Sequence, residues 1–227
     1  MIEAVLKIGG GLAEHPEHLK NLCEFVGKLS KKHRFLIIPG GGRFADAVRE
    51  CNSIFHLSNV TAHWMAILAM DQYGFLLSNL VPNSRITRDI VEAKTLINSG
   101  IPTIFLPSRL MFDPNPLEAS WRVTSDTISA YVAKILDAKK LVLVKDVDGI
   151  YTDDPKINKK ASLLSSVSAD EIQKSSKTQC IDECLAGFVL KSRLECYVVN
   201  GKFPRRIGRI LDGKPTHATI LTYVEKG

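Results

Sequence analysis

An α/β fold built on a mainly parallel sheet is the class this sequence predicts, and three observations carry it. Leu141 to Val144 is a continuous apolar run, the pattern of a strand covered on both faces. Ala4 to Ile8 and Phe35 to Ile38 read as further short strands. Each run ends in turn chemistry: Gly9-Gly10-Gly11, Pro39-Gly40-Gly41-Gly42, and Asp146-Val147-Asp148-Gly149. In an open α/β sheet, ligands sit beyond the carboxyl ends of the strands, so these three turns are the candidate site.

Length and composition bound the function. A chain of 227 residues suits one large α/β domain or two fused lobes. With 45% hydrophobic and 24% charged residues it has the composition of an ordinary globular protein. The net charge is +6, but Lys and Arg are scattered and no basic run is interleaved with aromatics. The expectation is no nucleic-acid partner, and an enzyme handling phosphorylated anions explains the bias. Five cysteines, an odd number, argue against a disulfide framework. Cys180 and Cys184 are four apart and can share a helix face, but without a second ligand pair no metal site is assigned. The N-terminal MIEAVLKIGGG has no cationic leader with a cleavage site, and no apolar stretch clearly reaches spanning length. A cytoplasmic protein with no membrane partner is expected.

In chain order, Ala4 to Ile8 delivers Lys7 to the first glycine triplet. Glycine lets the backbone approach a polyphosphate closely, and successive N–H groups can cradle its oxygens. Residues 17 to 29 read as a helix with Leu19, Leu22, Cys23, Val26 and Leu29 on one face. After Phe35 to Ile38, the second glycine loop opens a helix with Phe44, Ala47, Val48 and Cys51 expected on its stripe. A loop opening a helix N-terminus is an anion site on physical grounds. Arg43 either adds a forked contact to an anion or is a solvated residue at the helix start.

Asn59 to Leu80 is apolar almost all round and reads as a helix buried in the chain or against a partner subunit. His56 and His63, beside apolar neighbours, are expected to be structural. Thr87 to Asn98 is read as a helix and Thr103 to Leu106 as a strand. Pro107 to Trp121, with three prolines, reads as a loop of the kind that carries selectivity. Thr124 or Ser125 caps the next helix, whose Ile128, Tyr131, Val132, Ile135 and Leu136 keep helical spacing. Asp126 in its first turn is accounted for by the helix dipole. At the end of Leu141 to Val144, Lys145 can offer an ammonium to a phosphate, Tyr151 a flat face, and Asp154-Pro155 a rigid turn. Lys156 to Lys177 is polar and reads as a flap. Cys196 to Val199 is a strand, 204 to 212 a helix, and Ala218 to Leu221 a closing strand.

Lys145-Asp146-Val147-Asp148-Gly149-Ile150-Tyr151, followed by Asp153-Asp154-Pro155, resembles the nucleotide loop of the amino acid kinase family. That family includes uridylate, aspartate, acetylglutamate, carbamate and isopentenyl phosphate kinases. Lys7-Ile8-Gly9-Gly10 resembles its first phosphate loop, Gly40-Gly41-Gly42 its acceptor loop, and Thr124-Ser125-Asp126 a block whose aspartate lies between two active-site lysines. Gly187-Phe188-Val189-Leu190-Lys191 resembles Gly-Met-x-x-Lys of the acetylglutamate kinase branch. The resemblance implies a three-layer α/β/α sandwich with an acceptor lobe, about 1 to 130, and a nucleotide lobe, about 131 to 227, on one continuous sheet. It implies Lys7, Asp126 and Lys191 as the catalytic set. It assigns ATP to Lys7, Gly9, Gly10, Lys145, Asp146, Val147, Asp148, Gly149, Tyr151, Asp154 and Pro155. It assigns the acceptor to Gly40, Gly41, Gly42, Arg43, Arg122 and Thr124. Mg²⁺ would ride mainly on ATP oxygens, and a homodimer or higher homo-oligomer is expected.

The family's Gly-Thr pair near the C-terminal end is replaced by Thr216-His217-Ala218-Thr219, leaving that nucleotide contact unassigned. The acceptor implied is a small phosphorylated substrate. The Trp121 to Thr127 block most resembles the branch that converts an aminomethyl-furanmethanol monophosphate to its diphosphate. Its amine would meet Asp46 or Asp113. A uridylate-type kinase and a non-catalytic nucleotide or oxyanion binder are the alternatives.

Overall fold

A computed structural model describes residues 1–113, 115–155, 157–175 (the side chain of 175 excepted) and 180–223. In chain order the elements are β1 (Ala4–Ile8), a 3-10 turn (Gly10–Glu14), α1 (Pro16–Leu29), β2 (Phe35–Pro39), α2 (Gly42–Phe55) and α3 (Asn59–Leu80). Then come β3 (Arg85–Thr87), α4 (Ile90–Asn98), β4 (Thr103–Phe105), α5 (Ser108–Phe112), α6 (Ser125–Ile135) and β5 (Lys140–Lys145). The chain finishes with β6 (Ser166–Ser168), α7 (Ala169–Ser175), α8 (Glu183–Ser192), β7 (Glu195–Asn200), α9 (Arg205–Leu211) and β8 (Thr219–Thr222).

The eight strands form one sheet in the order β3-β4-β2-β1-β5-β7-β8-β6. Every pairing is parallel except β7 with β8. Side chains alternate across a strand with period two, and the core divides accordingly. Val5, Leu36, Ile38, Leu141, Leu143, Cys196 and Val198 pack on one face with residues of α4, α6 and α8. Leu6, Ile8, Phe35, Ile37, Val142, Val144 and Val199 pack on the other with α1, the end of α3 and α9. The result is the three-layer α/β/α sandwich. Each such side chain contributes about 1.5–3 kcal/mol when fully buried, so the central strands need no local propensity to hold them.

Register and parity aim the chemistry. Lys7 pairs with Ile38 and Leu143, and Lys145, two residues past Leu143, is the last of β5. Lys7 and Lys145 therefore share the parity of Val5 and Leu143 and project to the face covered by α6.

Several local expectations are corrected. On α2 the buried residues are Ala45 and Val48, while Phe44 is 38% exposed. The face that α2 turns inward is the one that packs on α3, where Ala45 and Val48 meet Ala69. Thr87 lies in β3, and α4 starts only after Asp89, whose carboxylate caps it. The 107 to 121 segment contains the short α5. Within the polar 156 to 177 stretch lie β6 and α7, and residues 156, 176 and 177 are outside the described set. A strand of three residues and a helix of seven are too short to show a period. On α3, Ile67, Met70, Tyr73 and Leu77 are buried, but Leu68, Phe75 and Leu76 are exposed.

Candidate active site

The carboxyl ends of β1, β2 and β5 meet at the two glycine loops. A Cβ on Gly10 would lie 2.1 Å from the Gly42 nitrogen and 2.2 Å from its Cα. Only glycine allows that backbone contact, and Gly42 also sits at φ +54. Gly9 donates its N–H to the carbonyl of Val144 (2.7 Å) and Gly40 to that of Ile8 (2.8 Å). Those two amides are thus engaged in holding the loops. The donors suited to an anion are the amides that open the 3-10 turn and α2, which have no partner within their own helix.

Between the loops lies a buried charge cluster. Lys145 Nζ donates to Asp126 Oδ2 at 2.8 Å, and Lys7 Nζ lies 2.8 Å from Oδ1. The Lys7 contact is an ion pair off the hydrogen-bond direction. Lys7 and Asp126 are 5% and 2% exposed. Burial opposes ionisation of Asp126, but the two ammonium groups, Lys145 foremost, hold its carboxyl far below the usual range. Burial pulls Lys7 down against the attraction of Asp126. For Lys145 burial is outweighed by Asp126 and the value rises.

Lys191 is not part of this cluster. It is exposed in the last turn of α8, whose other end faces Asp126's helix. Nine residues of helix separate it from the N-cap Asp182, about 13 Å at 1.5 Å per residue. The second lysine on Asp126 is Lys145, a correction that strand parity explains.

Asp182 is the residue that sequence reasoning missed. Its carboxylate accepts five hydrogen bonds: from the N–H and hydroxyl of Thr124, the N–H and hydroxyl of Thr127, and the N–H of Leu185. It caps α8 and also serves the start of α6, where the Thr124 hydroxyl makes no cap of its own. Burial, then the neighbouring Asp126, push its carboxyl up. The signal was present: Asp182 directly precedes an apolar helical pattern through Leu185, Ala186 and Val189.

Past Lys145, the Asp146 carboxylate packs against Gly11, where a Cβ would lie 3.0 Å away. Val147 is half-buried. Asp148 receives Arg206 and the Asn200 amide (3.2 Å), and Arg206 lies over the ring of Phe203 at 4.2 Å. Tyr151 is half-buried and bridges Leu163 through the backbone. The carbonyl of Asp154 accepts the N–H of Asn158 at 2.8 Å, with Pro155 inside that turn. Thr219 belongs to the C-terminal stretch left unassigned. Its hydroxyl accepts the Ile150 N–H (2.9 Å) and donates to the Leu164 carbonyl (2.6 Å). A Cβ on Gly149 would meet that hydroxyl at 2.3 Å, which requires glycine there.

A cavity of about 520 Å³ runs from Lys7, Lys145 and the glycine loops to Trp121 and His63. Gly41 and Gly42 line it, as do Thr124 and Asp46. The guanidinium of Arg43 is held by Glu14 at 2.7 and 2.8 Å, and that of Arg122 by Glu183 at 3.0 Å. Neither arginine lines the cavity. Among the described residues no group of three or more His, Cys, Asp and Glu is placed to hold a metal ion, and no helix is long and apolar enough to cross a membrane.

The family model described as the amino acid kinase family matches residues 3–200. The chain is 31% identical over 222 residues to the [5-(aminomethyl)furan-3-yl]methyl phosphate kinase of Methanocaldococcus jannaschii, covering 98% of this chain and 99% of that one. It is 27% identical to a uridylate kinase of Pyrococcus abyssi, over 90% of this chain and 91% of that one. Among solved structures, uridylate kinase from Archaeoglobus fulgidus superposes with a TM-score of 0.76 at 20% identity, over 97% of this chain and 100% of that one. UMP kinase from Bacillus anthracis gives 0.78 at 19% identity, over 97% and 96%.

Proposed function

The chain belongs to the amino acid kinase family, and from that premise we propose that it transfers the γ-phosphoryl group of ATP to a small phosphomonoester, giving a diphosphate. The observation that carries the reading is the Lys7–Asp126–Lys145 cluster between two touching glycine loops. Phosphoryl transfer needs charge neutralised on the moving group and donor and acceptor oxygens aligned. Lys7 and Lys145 supply the cations. The amides opening the 3-10 turn and α2 supply directed N–H donors. Asp126, which only accepts, holds both ammonium groups without competing for the phosphoryl. An acceptor phosphate is already an anion, so no general base is required.

ATP as donor is supported by the cavity of about 520 Å³, which is lined by Lys7, Lys145 and Gly9, Gly10 and Gly11. Its nucleoside end would lie along Lys145 to Pro155, beside Arg206 and Phe203. Mg²⁺, when bound, supplies charge neutralisation on the polyphosphate. The buried carboxylates of Asp126 and Asp182 are committed to protein donors, so the ion would ride chiefly on ATP oxygens. The exposed Leu68, Phe75 and Leu76 of α3 support assembly with a further copy.

The acceptor we infer is 5-(aminomethyl)-3-furanmethanol phosphate, supported by the near full-length relative named for it. UMP is the second reading, supported by the uridylate kinases at lower identity. An ATP-consumption screen over phosphomonoesters tests both. Turnover of the furan phosphate well above UMP is the expected result. Preferential turnover of UMP would reverse the order, and consumption with neither would remove both acceptors.

A further inference from the structure

The cavity ends in a buried histidine for which phosphoryl transfer has no task. Along α3, His63, Ala66, Ile67 and Met70 line the cavity. Tyr73, further along the same helix, donates to the Gly9 carbonyl at 3.4 Å. At 1.5 Å per residue His63 lies about 15 Å along the axis from the residue that touches the first glycine loop. It therefore marks the end of the cavity away from Lys7. The walls leading to it are apolar: Ile67, Met70, Val123 and Ile128, with Trp121 alongside.

The state of the ring is fixed by its partner. His63 Nδ1 lies 3.2 Å from the Ser120 carbonyl, which can only accept, so Nδ1 carries the hydrogen. Nε2 then holds a lone pair. The residue is 4% exposed, and it is a wall of the cavity. Burial lowers its affinity for a proton, against the opposing pull of the Ser120 carbonyl and Glu118, which favours the neutral ring. The charged groups near this end are already engaged. Asp46 pairs with Arg49, and the Arg49 guanidinium lies 5.4 Å over the Trp121 ring.

We propose that His63 is a specificity-determining residue for the acceptor: its Nε2 accepts a hydrogen bond from an amine or hydroxyl at the end of the acceptor opposite the phosphate. The inference rests on the phosphomonoester reading above and adds what the far end of that molecule must carry. A second phosphate or a carboxylate brings no hydrogen to the lone pair and is disfavoured there. An apolar group fits the walls but leaves Nε2 desolvated and unpaired. A furan ring with an aminomethyl substituent satisfies both walls and nitrogen.

The test is calorimetric binding of three furanmethyl phosphates, carrying aminomethyl, hydroxymethyl or methyl opposite the phosphate, to the wild type, His63→Leu and His63→Gln. Turnover with ATP is measured on the same samples, and affinity for a non-hydrolysable ATP analogue serves as the folding control. In the wild type a donor-bearing acceptor should bind about tenfold to hundredfold tighter than the methyl one, the size of a lost buried hydrogen bond. The aminomethyl and hydroxymethyl arms identify which donor is read. His63→Leu should collapse the preference to about one. His63→Gln, which keeps an acceptor oxygen and a donor for Ser120, should restore part of it. Equal binding of all three by the wild type, or a preference that survives in His63→Leu, overturns the inference even if turnover is normal. A preference that depends on His63 without turnover of any phosphomonoester supports the inference for the site and overturns the transfer reading instead.

Discussion

Lys145 Nζ lies 2.8 Å from Asp126 Oδ2, deep between the two glycine loops. That pair makes Lys145 the second lysine on Asp126 and leaves Lys191 on a helix surface. The consequence is a paired test. Lys145→Ala removes a buried cation from the transferring group, and losing one such electrostatic donor costs about 10²–10³ in kcat. Lys191→Ala should stay within about twofold of wild type, as surface changes remote from a site generally do. Single-turnover kinetics on both variants decides it. A large loss in Lys191→Ala with Lys145→Ala active would reverse the assignment.

Asp126→Asn should reduce kcat by a similar factor and also destabilise the fold. It leaves two buried ammonium groups without a counter-charge, and breaking a buried pair from one side costs about 3–5 kcal/mol. The pH dependence has a definite sign. The folded carboxyl is held below its unfolded value, so its contribution is complete above the unfolded pKa of about 3.9 and is lost as pH falls below it. Urea denaturation from pH 7 to 3 should show a constant gap between wild type and variant above about pH 5, and a narrowing gap below. A gap that widens toward pH 3 contradicts the ion-pair account.

The centre of the sheet is legible because β1, β2 and β5 are largely continuous apolar runs of strand length, whereas the three-residue β3 and β6 are not. Ala4 to Ile8 coincides with β1, and Leu141 to Val144 falls within β5. The aspartate between two lysines was also legible, through Thr124-Ser125-Asp126. Its second partner is not, because the resemblance of Gly187 to Lys191 to Gly-Met-x-x-Lys points to Lys191 while strand parity points to Lys145. Lys7 and Lys145 stand on adjacent parallel strands with the same parity, and that alone brings them to one face. Asp182 was hidden for another reason. Its capping role was readable from the pattern after it, but its service to α6 depends on a contact across 58 residues of chain. The sequence supports only a structural reading of His63, because an imidazole among apolar residues looks the same whether the space beside it is filled or empty.

Asp182→Ala should be among the most destabilising single changes near the site that leave Asp126 itself intact. It strips the acceptor from three backbone N–H groups and two hydroxyls at the starts of α6 and α8. Loss of a cap costs about 1 kcal/mol and each buried unsatisfied group about 1–3, so a loss on the order of 3 kcal/mol is expected after relaxation. Chemical denaturation measures it. A change below about 0.5 kcal/mol would mean that water or Thr–Thr contacts replace the carboxylate without penalty.

In Gly10→Ala the new methyl would sit 2.1 Å from the Gly42 nitrogen and 2.2 Å from its Cα. Both are backbone atoms and cannot rotate away as a side chain would. The loops must separate, and Gly42 cannot easily follow, because its φ of +54 fixes the turn into α2. Parting them moves the amides opening the 3-10 turn relative to those opening α2, the two groups proposed to hold donor and acceptor. Misplacement of about 1 Å at such a site costs about 10²-fold in rate. The loss should appear in kcat more than in nucleotide affinity, since the Lys145 to Pro155 loop is untouched. Gly213→Ala is the comparison: nothing lies within 4 Å of its Cβ, although its φ of +69 carries a modest backbone strain. It should lower Tm slightly and leave kcat unchanged. Equal kcat losses in both variants would show that backbone strain in general, and not the meeting of the two loops, controls the rate.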